Sequence, residues 1–119
     1  MKRDLNMIRL LLIQIEGEEK PDLSNYTEEQ QKYHAALLVE AGLVHGDVID
    51  DALDGGIATV VMTRLTWEGH EFLDGARNEA LWKKVGAAAL KLGGSMTLPV
   101  AKALLAKYAK EAVGLDLLN

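Results

Sequence analysis

The chain has 119 residues, 49% of them hydrophobic and 26% charged, enough apolar matter for one domain, or one domain and an appendage, and too much for a disordered tail. It contains no cysteine, which excludes disulfides, thiolate metal sites and cysteine nucleophiles. The formal net charge of −5 is unevenly spread: residues 1–82 hold 7 Lys or Arg against 16 Asp or Glu, whereas residues 83–119 hold 6 against 2.

The opening, MKRDLNMIRLLLIQIEGEE, starts basic, but Arg9, Gln14 and Glu16 interrupt its apolar run and no small-residue cleavage site follows, so it reads as a helix and not as a signal peptide. Asp4 is a suitable N-cap, Leu5, Ile8, Leu11, Leu12 and Ile15 fall on one stripe, and Gly17 ends the element. Residues 18–26 form a connector with at most one short helical turn. Thr27-Glu28-Glu29-Gln30 then fits a capping box, in which the Thr and Gln side chains satisfy each other's backbone donors. The helix that follows buries Tyr33, Ala36, Leu37 and Ala41 and stops at Gly42 with Leu43 behind it, the pattern of a Schellman ending.

Two β-prone segments, LVHGDVID and IATVVMTRL, flank Asp54-Gly55-Gly56 and predict a hairpin. Thr66 caps a further helix, with Glu68 in its first turn. Its apolar stripe changes face, from Gly69, Phe72, Leu73, Ala76 and Ala80 to Leu81, Val85, Ala88 and Leu92, so its two ends meet different partners. Gly75 and Gly86 are the positions where a kink or break is cheapest to expect. Gly93-Gly94-Ser95 closes that helix, and Thr97 with Pro99 opens a last one. Leu98, Ala101, Leu105, Tyr108, Ala109 and Ala112 give it an apolar side, and Lys102, Lys107 and Lys110 lie outside. The expected fold is α+β and mostly helical: a winged helix (helix, helix, β-hairpin, helix) over residues 1–92 and a C-terminal helical extension over 93–119, packed on it or on a dimer partner.

Little in the chain carries reaction chemistry. His70-Glu71-Phe72-Leu73-Asp74 is one residue from the H-E-x-x-H zinc helix, but a third ligand such as His45 is not signposted, and Trp67 and Phe72 point to packing. His34 and His45 read as a helix-surface residue and a strand residue. No serine triad order, phosphate loop or Walker pattern is present, so an enzyme is the least supported class and no cofactor is implied.

Three segments, MKRDLNMIRLLLIQIE, YHAALLVEAGLV and RLTWEGHEFLDGARNEALWKKV, in that order and spacing, resemble an uncharacterised family of small proteins encoded mainly by phages and prophages. The resemblance implies a winged-helix core and a prophage or bacterial setting, and it carries over no catalytic residue. The expected location, cytoplasmic, follows from the opening not reading as a signal peptide and from no stretch approaching the roughly 20 apolar residues of a membrane span.

Two functional classes follow. A winged-helix DNA-binding regulator would place the helix before the hairpin in the major groove. That helix, however, carries Glu28, Glu29 and Glu40 against Lys32, and the hairpin carries Asp47, Asp50, Asp51 and Asp54, a sign that repels phosphate. Only Lys102, Lys107 and Lys110, or Lys2, Arg3 and Arg9, supply a nucleic-acid surface or, for the former set, a self-association one. The favoured expectation is therefore a protein-binding winged helix that docks its acidic helix and hairpin on a basic host or phage protein, with counter-defence a natural subclass. The charge asymmetry also lets two copies pair head to tail, and a homodimer through the last helix is a further expectation, whereas a membrane is not an expected partner.

Overall fold

The computed structural model describes residues 1–93 and 96–118, with side chains through residue 114. Among these residues the chain forms five helices and one two-stranded antiparallel sheet, a mostly helical α+β arrangement. It divides into two compact units, residues 1–73 and residues 74–119. Among the described residues no helix is long and apolar enough to cross a membrane.

In the first unit, α1 (Leu5–Glu16) starts where the Asp4 carboxylate accepts the Asn6 N–H at 2.8 Å and ends at Gly17. The expected stripe is buried at Leu5, Ile8, Leu11 and Leu12, but Met7 and Ile13 are buried as well and Ile15 only partly. The reason is that α1 packs on both α2 (Glu28–Glu40) and the ribbon, so a single face cannot hold all its apolar side chains.

The start of α2 is the predicted capping box: Thr27 Oγ1 accepts the Gln30 N–H at 3.0 Å, and Gln30 Oε1 accepts the Thr27 N–H at 2.8 Å. Its end is a complete Schellman motif, with Gly42 N–H on the Val39 carbonyl at 3.1 Å and Leu43 N–H on the Leu38 carbonyl at 3.0 Å. Gly42 has φ +74°, a conformation only glycine adopts cheaply. The buried face of α2 differs from the predicted one. Ala36 is buried as expected, but with His34, Ala35 and Leu38; Tyr33 and Leu37 are half-buried and Ala41 is exposed. The helix is clamped between α1 and the ribbon, which rotates its covered sector toward residues 34, 35 and 38.

Strands β1 (Val44–Asp50) and β2 (Ile57–Leu65) pair from Val44 with Leu65 to Asp50 with Ile57, with irregularities at His45/Gly46 and Ile49/Asp50. Glycine is needed at 46 because a Cβ there would meet the Val61 carbonyl oxygen. The tip is held by Asp51, whose carboxylate accepts Leu53 N–H at 2.9 Å and Asp54 N–H at 3.3 Å. The ribbon returns to the exact point it left. Thr66 N–H donates to the Leu43 carbonyl at 3.0 Å, and the Thr66 hydroxyl donates to the Gly42 carbonyl at 2.6 Å while accepting Gly69 N–H at 3.0 Å. Thr66 thereby caps α3 (Trp67–Ala76), as predicted, and joins it to the end of α2.

The single helix expected from Thr66 to Leu92 is instead two, α3 and α4 (Glu79–Lys91). Neither Gly75 nor Gly86 causes the break; both lie within helices. Asn78 adopts an extended conformation and its side chain accepts the Leu81 N–H at 2.9 Å, so it acts as an N-cap in the middle of a helical pattern. That cap also re-phases the apolar positions: Trp82, Val85 and Ala89 are buried in the second unit, whereas Ala80 and Leu92 are exposed and Leu81 and Ala88 half-buried. The last helix, α5 (Leu98–Leu118), is capped by Thr97 as predicted, with Val100 N–H on Thr97 Oγ1 at 3.3 Å, and packs on α4, with Ala101 and Leu105 buried. Ala109 and Ala112, predicted apolar-side residues, are exposed. Gly93 follows α4 as expected, while Gly94 and Ser95 lie outside the described residues.

Two helix-interior glycines separate close packing from propensity. At Gly69 a Cβ would collide with the Leu43 carbonyl oxygen, whereas at Gly86 it would meet only the flexible end of Met96 at 3.6 Å. Gly69→Ala is expected to lower stability by about 3 kcal/mol despite the better helix former. Gly86→Ala is expected to raise it by about 0.5–1 kcal/mol. Urea unfolding of the two variants beside the parent chain reads both signs.

Candidate functional site

The first unit carries an open groove of about 450 Å³ between the start of α2 and the hairpin tip, lined by Met1, Glu29, Lys32, Tyr33, Asp51, Asp54, Gly56 and Ile57. It exists because the ribbon doubles back beside α2, so the first turn of that helix and the tip of the ribbon come to one place. Of the acidic residues singled out in the sequence, it unites Glu29, Asp51 and Asp54. Glu28 is exposed on the neighbouring helix position, and Asp50 is exposed at the strand end beside Asp51. Glu40 lies at the other end of α2, about 16 Å along the helix axis. Asp47 is exposed in mid-strand opposite Val61.

These carboxylates do not have equal freedom. Asp51 is occupied by the turn it caps, and Glu28 and Glu29 sit in the first turn of α2, where the helix dipole favours negative charge. Asp54 and Glu29 are exposed, so both remain available to an incoming cation. Lys32 and Tyr33 were not singled out in the sequence as site residues. Lys32 is one helical turn from Glu29, and that spacing was the signal that could have placed it in the groove.

The lysines behave differently. Lys102, Lys107 and Lys110 are exposed on α5. Lys107 Nζ lies 6.0 Å from the centre of the Tyr108 ring, and Lys84 Nζ of α4 lies over the same ring at 4.3 Å. Lys83 pairs with Glu79 at 3.4 Å, an exposed one-turn pair that contributes a few tenths of a kcal/mol. By sequence the first unit holds 6 Lys or Arg against 14 Asp or Glu, a balance of −8, and the second holds 7 against 4, a balance of +3.

The histidines separate into one structural residue and two exposed ones. His34, expected on the helix surface, is 2% exposed: its Nε2 accepts the Asp4 N–H at 2.8 Å and Nδ1–H donates to the Gln30 carbonyl at 2.7 Å. A backbone N–H can only donate and a carbonyl can only accept, which assigns the ring hydrogen to Nδ1. Asp4 also accepts the Tyr26 hydroxyl at 3.2 Å, so α1, the connector and α2 meet in one polar cluster. Burial first, and the Asp4 carboxylate second, raise the Tyr26 pKa above its ordinary value. His45 is exposed on β1, and His70 and Asp74 are exposed on α3. Among the described residues no group of three or more His, Asp or Glu is placed to hold a metal ion. Trp67, expected to pack, is 75% exposed, because the first turn of α3 is fixed by Thr66 and turns its buried side through Gly69, Phe72 and Leu73 instead.

Comparison with known proteins gives two matches. Residues 2–95 match the family described as hypothetical protein DUF2513. A Haemophilus influenzae protein described as an uncharacterized protein is 33% identical over 92 residues, covering 71% of this chain and 75% of that protein. No solved structure matches the chain.

The polar cluster yields two expectations. His34→Ala removes a buried ring and strips the part-buried Asp4 N–H and Gln30 carbonyl of their partners, and should lower unfolding free energy by about 2–4 kcal/mol. Because the folded chain holds the Tyr26 proton more tightly than the unfolded chain, the stability this contributes is complete below about pH 10 and is lost as pH rises past it. Tyr26→Phe should therefore flatten the fall in stability as pH rises above about 10, as read by denaturant midpoints.

Proposed function

The chain belongs to the DUF2513 family, and for this member of it we propose a non-catalytic role: a small winged-helix protein that binds a basic surface of a host or phage protein through its acidic groove. In this reading α2 stands in the recognition position of a winged helix and the β1–β2 ribbon is its wing. It is a phage or prophage product acting in the bacterial cytoplasm, and it inhibits a nucleic-acid-binding or defence machine by occupying the cationic groove that machine reserves for phosphate.

The observation that carries the proposal is the convergence of Glu29, Asp51 and Asp54 on one groove where, among the described residues, Lys32 is the single basic side chain in the lining. A winged helix that reads DNA brings that helix and that wing to the duplex, and its affinity comes largely from Lys and Arg on phosphate. Here the same two elements present carboxylates, and Arg64 sits at the opposite end of the ribbon, paired with His45. The first unit's balance of −8 extends the same sign beyond the groove. The competing reading, a winged-helix DNA-binding regulator, has the lysines of α5 in its favour and this groove against it.

An arginine-rich peptide and a random-sequence duplex, each followed by fluorescence anisotropy over a salt series, distinguish the two. The peptide should bind with an affinity that weakens as salt rises. Glu29→Gln with Asp54→Asn should weaken it about fivefold, the equivalent of two partly exposed ion pairs, leaving Asp51 to hold the turn. Tighter binding to the duplex than to the peptide sinks the proposal, more so if the double variant strengthens it.

A further inference from the structure

We infer that the lysine face of the second unit is a docking surface whose occupant is a second copy of this chain, engaged through that copy's α2 and hairpin groove. The inference rests on the reading that the groove takes cationic polypeptide, and it names one such polypeptide.

The face is built in a particular way. Lys84 comes from α4 and Lys107 from α5, and both ammonium groups lie near the one Tyr108 ring, at 4.3 Å and 6.0 Å from its centre. An aromatic ring orients a cation without neutralising it. Among the described residues, neither lysine has a carboxylate within ion-pair distance, in contrast to Lys83 with Glu79. On the outward side of α5, Ala103 and Ala106 are exposed between Lys102, Lys107 and Lys110. Small residues between long ones leave the ammonium groups standing above the helix surface, free to enter a depression. The groove in the first unit is such a depression, about 450 Å³ in volume, and Glu29 and Asp54 line it.

Charge selects the occupant. A polyanion drawn to the lysines must approach a chain of net charge −5 whose first unit stands at −8, and that repulsion opposes it. A second copy brings a carboxylate-lined groove to the lysines, so contact brings opposite signs together. A parallel contact of α5 on α5 fails the same test, since it sets lysine against lysine. The arrangement also bears on regulation: a groove filled by the lysines of another copy is closed to a basic partner until that partner displaces them.

Sedimentation velocity over a concentration series tests this at about 10 mM ionic strength, where the Debye length is about 30 Å, and again at about 1 M, where it is about 3 Å. The full chain should self-associate in the first condition and not in the second. Lys84→Glu with Lys107→Glu, and separately Glu29→Lys with Asp54→Lys, should each weaken self-association by about tenfold or more. An equimolar mixture of the two double variants should re-form dimers, because mixing restores opposite signs where each variant alone sets like against like. Lys20→Glu with Arg64→Glu, an equal charge change outside the face, should leave association within about twofold of the parent.

Several results would overturn the inference: no self-association at low salt, indifference to the lysine reversals, no recovery on mixing, or tighter binding of an oligonucleotide than of a second copy at the lysine face. The arginine-rich peptide keeps the two readings apart. If Lys84→Glu with Lys107→Glu still captures the peptide while no dimer forms in the parent, the second-copy inference falls and the groove reading stands. If Glu29→Lys with Asp54→Lys leaves peptide capture unchanged, the groove reading falls with it.

Discussion

The first unit depends on one junction, where the backbone carbonyls of Gly42 and Leu43 at the end of α2 are taken up by Thr66 at the start of α3. The Thr66 N–H and hydroxyl fill both carbonyls, and the same hydroxyl oxygen receives the Gly69 N–H. Twenty-odd residues of ribbon thus begin and end at one knot, and Val44 has to pair with Leu65. The groups in the knot are strong hydrogen-bonding groups, buried at Gly69 and part-buried at Gly42, so leaving a buried one unpaired costs about 1–3 kcal/mol, and the three bonds enforce each other. Gly69 completes it by permitting the close approach that any side chain would prevent. The place of the hairpin tip beside α2, and with it the groove, follows from this constraint.

Local chemistry then decides what the groove presents. Asp51 serves the turn before it serves any partner, since two backbone N–H groups converge on its carboxylate. Glu28 and Glu29 serve the start of α2. A count of acidic residues therefore overstates the charge available for recognition, and the exposed Glu29 and Asp54 matter most. On the second unit the opposite economy holds: Tyr108 gathers Lys84 and Lys107 without neutralising either. Acids that double as caps and lysines that double as ring partners give each unit a sign that its own folding helps to fix.

At Asn78, His34 and Trp67 a hydrogen bond to the backbone, and not the apolar pattern, sets the local structure. Asn78 has the composition of a helix position and the chemistry of a cap, and nothing local tells which prevails until the Leu81 N–H is seen to bond to it. His34 has the spacing of a surface residue, yet it lies where the Asp4 N–H and the Gln30 carbonyl both need a partner, and one of these is 30 positions away in sequence. Trp67 is the converse, an apolar residue left 75% exposed because the cap next to it sets the phase of α3. In each case a backbone hydrogen bond outranked the hydrophobic pattern.

Elements with local causes are legible in the chain: the capping box at Thr27, the Schellman ending at Gly42, the ribbon turning at Asp54-Gly55-Gly56, and the caps at Asp4, Thr66 and Thr97. Each is decided by side chains within a few residues of the backbone groups they satisfy, so the chain carries the whole cause in one short window. It also determined the uneven distribution of charge, which needs no folding to be counted. Folding settles which acids share a groove, that Lys84 joins Lys107 at one ring, that His34 is buried, and that the long helical stretch divides at Asn78. The first three depend on residues far apart in the chain being brought together, and the last on a choice between two satisfied conformations that local propensity leaves nearly balanced.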